Sequence, residues 1–110
     1  MRGRFEVEFL HEAMEFLDSI DSKAREKLIF NIDKARYLND PKVFKKLTSQ
    51  IWEFRAEVKK LQYRLFAFWD KRDSRDTLVI CSHGVIKKTD KVPEKELLKA
   101  EKIMKLYFEQ

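Results

Sequence analysis

The stretch IWEFRAEVKKLQYRLFAFW, residues 51–69, decides the fold. It divides at Lys59-Lys60 into two segments in which apolar and polar residues alternate, which is the pattern of strands with one buried face. If the two lysines form a two-residue turn, every inward pair between residues 51–58 and 61–69 is apolar, and a four-residue loop would preserve this register. Lys-Lys is not a favoured turn pair. The alternation nevertheless predicts an antiparallel hairpin in this register.

The outer face of this hairpin carries an arginine pair. In the predicted register Arg55 lies directly across from Arg64, with their side-chain origins roughly 5 Å apart. One interpretation is that Glu53 and Glu57 neutralise both arginines in a solvated ladder of modest energetic value. The other is that two planar guanidinium groups on a rigid sheet grip a phosphate and stabilise charge that develops on it.

The segments outside this hairpin differ from one another in the spacing of their apolar residues. Residues 77–86 are apolar at both parities, which predicts a third strand that is covered on both sides or closely flanked by neighbours. The alternating residues 4–10 predict a first strand at an edge. Apolar residues at three- and four-residue spacing predict a short helix and a longer one, with a break at residues 18–22 and a stop at residues 39–41. Pro93 begins a C-terminal helix.

The order of elements is therefore β-α-α-β-β-β-α. Short links between consecutive strands predict an α+β fold with an antiparallel twisted sheet of about four strands. Two helices are expected to pack on one face of the sheet, with the terminal helix beside it. The mixed-charge run at residues 70–76 is expected to be a solvated hairpin loop. A length of 110 residues is usual for one domain, so residues 1–110 are expected to form a single domain.

Composition narrows the partners and the compartment. The 24 Lys and Arg residues outnumber 19 Asp and Glu residues, and a net charge of +5 favours a polyanionic partner such as nucleic acid. The single cysteine, Cys81, cannot form an internal disulfide, and together with His11 and His83 it cannot complete a Cys/His metal site. We therefore expect no metal, no cofactor and a cytoplasmic location. The sequence has no apolar run long enough to enter a membrane.

Four separated pieces of the sequence resemble one toxin family. Their order and spacing are similar to those of the HigB-like branch of the RelE/ParE toxin superfamily, the toxins of type II toxin–antitoxin pairs. The family pattern is a strand with Glu-x-Arg, a hairpin to Tyr-Arg, a strand ending near His-Gly and Lys-Lys-Thr, and a helix opened by Pro. The matching pieces are IWEFR (51–55), YRLFAFW (63–69), HGVIKKT (83–89) and VPEKELLKAEK (92–102).

The resemblance implies an activity and partners. It implies a ribosome-dependent endoribonuclease that cuts translated mRNA without a metal, and a neighbouring antitoxin, usually of helix-turn-helix type, that blocks the basic surface. Arg55 and Arg64 match the active-site arginines of the family and would clamp the scissile phosphate. Lys87 and Lys88, at the end of the third strand, are candidates for holding the RNA backbone. A solvated basic corner is the alternative interpretation for the two lysines.

His83 is the natural general base by residue type, because the unperturbed pKa of histidine is near 6.5. Its strand parity, shared with Val79 and Cys81, favours a buried structural imidazole instead. The same parity would place Cys81 and His83 on one face, as in a Cys-His nucleophile, although nothing suggests the electropositive, exposed setting that a reactive cysteine needs.

A non-enzymatic interaction module is the alternative function. It would be a ParE-like toxin, whose target is a DNA topoisomerase, or a degenerate toxin that only binds its antitoxin. The arginine pair together with Lys87 and Lys88 argues against this alternative and favours the enzyme.

Overall fold

The computed structural model describes residues 3–72, 78–89 and 91–110, which form five strands and three helices. None of the helices in these residues is long and apolar enough to cross a membrane. The elements are β1 (Glu6–Phe9), α1 (His11–Ser19), α2 (Ser22–Ala35), β2 (Phe44–Lys46), β3 (Trp52–Val58), β4 (Leu61–Asp70), β5 (Leu78–Lys87) and α3 (Glu94–Phe108). The α+β class is the one that the sequence predicts.

The strands form one sheet in the order β1-β5-β4-β3-β2. The pairs β2–β3, β3–β4 and β4–β5 are antiparallel, whereas β1 is parallel to β5. The prediction of about four antiparallel strands was therefore wrong in two details. β2 has only three residues, too few to show a period of two, and the parallel pairing of β1 depends on a crossover that local alternation does not reveal.

The central hairpin has the predicted register. Val58 pairs with Leu61 and the ladder continues to Trp52 opposite Ala67. The turn between the strands consists of two residues, Lys59 with φ 51° and Lys60 with φ 68°. Both values lie in the left-handed region that a type I′ hairpin turn requires, where a residue with a Cβ is disfavoured by roughly 1–2 kcal/mol.

This turn predicts a stabilising substitution. Lys59→Asn with Lys60→Gly should raise the free energy of unfolding by about 1–2 kcal/mol, because Asn and Gly tolerate positive φ far better than lysine. Denaturant titration measures the change. Lys59→Ala with Lys60→Ala is the matched control, since it removes the same two charges and keeps a Cβ at each position. Equal stability of the two double variants would show that the backbone of the turn is not strained.

Both faces of the sheet are covered. α1 and α2 pack on one face, where the core includes Leu17, Leu28, Phe54, Leu65 and Val79. α3 packs on the opposite face, where Ala100 lies with Phe66, Phe68, Leu78 and Ile80. The terminal helix is thus across the sheet from α1 and α2, which explains why β5 is apolar at both parities.

The end of β4 anchors α3. Asp70 is buried, and its carboxylate accepts hydrogen bonds from the Arg72 guanidinium at 3.0 and 3.1 Å and from the Tyr107 hydroxyl at 2.7 Å. The Arg72 guanidinium holds the pKa of Asp70 well below its usual range. Asp70 is therefore a buried anchor and not part of a solvated loop. Residues 73–77 of the loop predicted at 70–76 lie outside the described residues.

Candidate active site

The arginine pair is held around one buried carboxylate. Arg55 and Arg64 are direct cross-strand partners, as the register predicts. Glu53 lies between them, with its carboxylate oxygens 3.5 Å from Arg55 Nε and 3.3 Å from Arg64 Nε. The side chains of Arg64 and Glu53 are 1% and 2% exposed, whereas that of Arg55 is 21% exposed. The solvated ladder considered for these residues is therefore not what forms.

Two opposing effects act on the carboxyl of Glu53. Burial raises the pKa of Glu53 above its ordinary value, and the positive charges of Arg64 and Arg55 oppose this rise. Burial therefore makes the charged form of the Glu53 carboxyl less favourable than it would be if only the two arginines acted on it. Glu57, the other acidic residue considered for the ladder, accepts a hydrogen bond from the Gln62 amide.

A cavity of about 350 Å³ opens beside the arginine pair. We call it the arginine cavity, and its lining includes Arg55, Arg64, Lys27, Lys42, Asn31 and Glu57. α2 closes one side of it, because Lys27 Nζ donates to the Glu57 carbonyl at 2.5 Å and Asn31 Nδ2 donates to the Arg55 carbonyl at 2.8 Å. Four cationic side chains and one carboxylate among these residues make the arginine cavity suited to an anion.

The contributions of Lys27 and Lys42 were missed in the sequence. Lys27 lies on α2 and Lys42 precedes β2, and single lysines at such positions have no pattern that connects them to a distant hairpin. The only relevant signal is the three- and four-residue spacing of apolar residues in α2. It predicts that this helix packs on the sheet, which would have reduced the number of candidate lysines.

The two lysines at the end of β5 lie in different environments. Lys87 is 9% exposed and pairs with Gln62 of the central hairpin, and its charge acts on Glu53. Lys88 follows the last residue of β5 and is exposed. The structure therefore brings Lys87 close to the buried carboxylate and leaves Lys88 at the surface.

A bulge in β5 changes the predicted position of His83. Phe66 pairs with His83, and Ala67 pairs with Cys81, so Ser82 is an extra residue in the ladder. Because one inserted residue reverses the parity, Cys81 packs with the core under α1 and α2 while His83 faces α3. The expectation that Cys81 and His83 share one face was wrong, and a Cys-His nucleophile is excluded by the geometry.

His83 is nevertheless the buried imidazole that was expected. It is 2% exposed, its Nδ1 lies 3.1 Å from Ser82 Oγ, and its Nε2 lies 3.2 Å from the Glu96 carboxylate. Burial lowers the pKa of His83, and the Glu96 carboxylate opposes the shift. These contacts connect β5 to the start of α3 and give the imidazole a structural role. Burial raises the pKa of the Cys81 thiol far above its ordinary value, which makes it unreactive.

Comparisons with known proteins identify the family. A family model described as Phage derived protein Gp49-like (DUF891) matches residues 15–105. The chain belongs to this family. Gp49-like proteins are a RelE/HigB-type toxin family, and the match spans the central hairpin, β5 and most of α3. A search of curated proteins finds no match to the chain.

The solved structures support the fold of this Gp49-like protein. It is similar to the crystal structure of the archaeal RelE-RelB complex from Pyrococcus horikoshii OT3, with a TM-score of 0.53 and 13% sequence identity. The similarity covers 80% of this chain and 99% of that chain. The RelE-like fold predicted from the four sequence pieces is therefore confirmed.

Proposed function

We propose that this Gp49-like protein is the toxin of a type II toxin–antitoxin pair, of the HigB-like branch, and that it cleaves mRNA on the ribosome without a metal. The observation that carries the proposal is the arginine cavity, in which Arg55 and Arg64 face each other beside Lys27 and Lys42. The membership of a RelE/HigB-type toxin family supports it independently.

The chemistry needs three things at the scissile phosphate. The 2′-hydroxyl must lose its proton and attack, the additional negative charge must be stabilised, and the 5′-oxygen must be protonated. Arg55 is the more exposed of the pair and binds the entering phosphate, while Arg64, at the floor of the cavity, stabilises the charge that develops. Lys87 adds positive charge nearby, and the exposed Lys88 holds the RNA backbone outside the cavity.

Glu53 is a positioning residue in this proposal. It holds the two guanidinium groups in place before RNA arrives, and the phosphate then takes over part of its contacts. Because burial raises the pKa of Glu53, uptake of a proton by this carboxyl when an anion binds is less unfavourable than for an exposed glutamate. His83 has no role at the phosphate, because it is buried under α3 and bound to Glu96.

The proposal includes partners and a compartment. The similar RelE was solved in a complex with RelB, and we infer that a cognate antitoxin, of helix-turn-helix type, covers the basic surface of this toxin. The ribosome and its bound mRNA are the targets, which places the protein in the cytoplasm. The net charge of +5 favours association with the ribosome.

A translation assay tests the function. Added to ribosomes translating a defined message, the purified protein should cleave the mRNA within the ribosome, and its expression alone should arrest bacterial growth. Arg55→Gln should slow cleavage by roughly a hundredfold, the usual loss for one donor to a developing anion. Lys105→Gln removes one charge from an exposed position of α3 outside the arginine cavity and should cleave normally.

Two outcomes would contradict this function. Intact transcripts during growth arrest, together with inhibited DNA supercoiling, would identify the ParE-like alternative. Normal growth and intact transcripts at high expression would identify a degenerate toxin that only binds its antitoxin.

A further inference from the structure

A second, larger cavity lies at the other end of the central hairpin. We call it the tryptophan cavity: it has a volume of about 580 Å³, and its lining includes Trp52, Trp69, Lys46, Lys71, Arg72 and Phe108. It forms where β3 begins and β4 ends, and Phe108 on α3 supplies its far wall. No acidic residue is found in its lining among the described parts of the chain.

The indole rings form a rigid aromatic wall. Trp52 and Trp69 are both half-buried, and their ring centroids are 6.1 Å apart at an interplanar angle of 75°. Phe44 stacks behind Trp52 at 4.8 Å, so this ring is supported by the core. A planar base that enters the cavity therefore meets aromatic surface that is already ordered, which lowers the entropic cost of stacking.

Cationic groups surround this wall. Lys71 Nζ lies 5.8 Å from the centroid of Trp69, and Lys46 is exposed at the rim beside Trp52. The Arg72 guanidinium lies 4.9 Å from the centroid of Phe108 and is oriented by its hydrogen bonds to Asp70. Aromatic stacking surface combined with phosphate-binding cations is the chemistry by which proteins hold single-stranded nucleic acid.

We propose that the tryptophan cavity binds one nucleobase of single-stranded RNA, stacked on the indole wall, with its phosphates held by Lys46 and Lys71. This inference rests on the proposed function, because it assigns the RNA that reaches the arginine cavity a second point of attachment. Trp69 follows Arg64 by five positions on β4, roughly 17 Å along the β-strand. The bound base therefore belongs to a nucleotide that lies a short distance along the RNA from the scissile phosphate.

An acidic peptide is the occupant that this chemistry favours less. Its carboxylates would pair with the lysines, but acidic side chains have no aromatic ring to stack on the indole rings. We therefore treat peptide binding as an outcome of the test.

Tryptophan fluorescence provides a direct readout, because Trp52 and Trp69 are the only two tryptophans of the chain. The probe is a 2′-O-methyl oligouridylate, which lacks the attacking hydroxyl and cannot be cut. We expect it to quench the fluorescence, and an abasic oligomer with the same number of phosphates to bind at least about tenfold more weakly with little quenching. Equal quenching by the abasic oligomer would overturn the proposal.

Charge-reversal variants supply the control. Lys71→Glu should weaken binding of the oligouridylate about tenfold or more, whereas Lys105→Glu, an equal charge change outside the cavity, should reduce it much less. Both lysines are exposed, so folding should be retained, and thermal unfolding checks this. An equal loss in the two variants, or quenching by an acidic peptide but not by RNA, would refute the base-binding site.

The two proposals fail in different ways. Quenching by RNA in a protein that cuts no mRNA would leave the base site standing and refute the nuclease. Cleavage on ribosomes without quenching, and unchanged by Lys71→Glu, would refute the base site and leave the nuclease standing.

Discussion

Arg64→Ala is expected to slow cleavage of ribosome-bound mRNA by about 10²–10³-fold, since removal of one donor to a developing anion costs roughly 3–4 kcal/mol of barrier. The same change should lower the free energy of unfolding by about 3 kcal/mol, because it removes a partner of the buried Glu53 carboxylate. Arg64→Lys should restore part of the activity, as lysine keeps the charge but loses the planar two-pronged contact.

The stability loss makes a matched variant necessary, and Glu53→Gln provides it. This change breaks the same ion pair from the other side and should also destabilise the protein, yet it keeps both guanidinium groups in the arginine cavity, positioned less firmly. Cleavage should therefore fall by no more than about tenfold in Glu53→Gln but by about 10²–10³-fold in Arg64→Ala at a temperature where both are folded. Loss of cleavage in both variants in proportion to their stability would show that Arg64 has only a structural role.

The double variant separates the two effects further. Glu53→Gln combined with Arg64→Ala removes both charges, so its stability should exceed the sum expected from the two single losses. Its cleavage rate should remain as low as that of Arg64→Ala alone. Recovery of cleavage in the double variant would refute a direct contact between Arg64 and the phosphate.

Gly84→Ala is expected to destabilise the fold by about 3 kcal/mol, at the upper end for an overpacked core. A Cβ at Gly84 would lie 2.2 Å from Cδ2 of Phe16, on the ring that α1 presses against β5. Aromatic ring atoms under a packed helix cannot yield as the tip of a flexible side chain can. α1 would have to move away from the sheet, and we expect cleavage to fall with the folded fraction.

Gly3→Ala is the matched control for this change. Its Cβ would approach the Arg36 guanidinium at 3.0 Å, the far end of a flexible side chain, and the effect on stability should be within about 0.5 kcal/mol. Phe16→Ala should relieve the clash in Gly84→Ala, so the double variant should be more stable than additivity predicts. If Gly84→Ala unfolds at the same denaturant concentration as the wild type, the close packing of α1 on β5 is refuted.

The sequence by itself determined the centre of the molecule. Alternation along residues 51–69 specifies the hairpin, its register and therefore the opposition of Arg55 and Arg64, because a shift by one residue would turn the apolar side chains to the wrong face. The third strand, apolar at both parities, predicted either cover on both faces or close neighbours, and the helices cover both faces. These properties can be predicted from the local sequence, because one face of each strand must be buried.

Only the tertiary structure decided how the rest of the chain meets this centre. Nothing local indicates that β1 returns beside β5, that Lys27 and Lys42 join the arginine cavity, or that Glu53 is buried between the arginines. The bulge at Ser82 could not be predicted, because one inserted residue leaves the pattern of a strand that is apolar at both parities unchanged. The same inserted residue moves His83 to the other face of the sheet. Contacts between distant segments depend on the packing of the whole chain, and alternation within one segment does not record them.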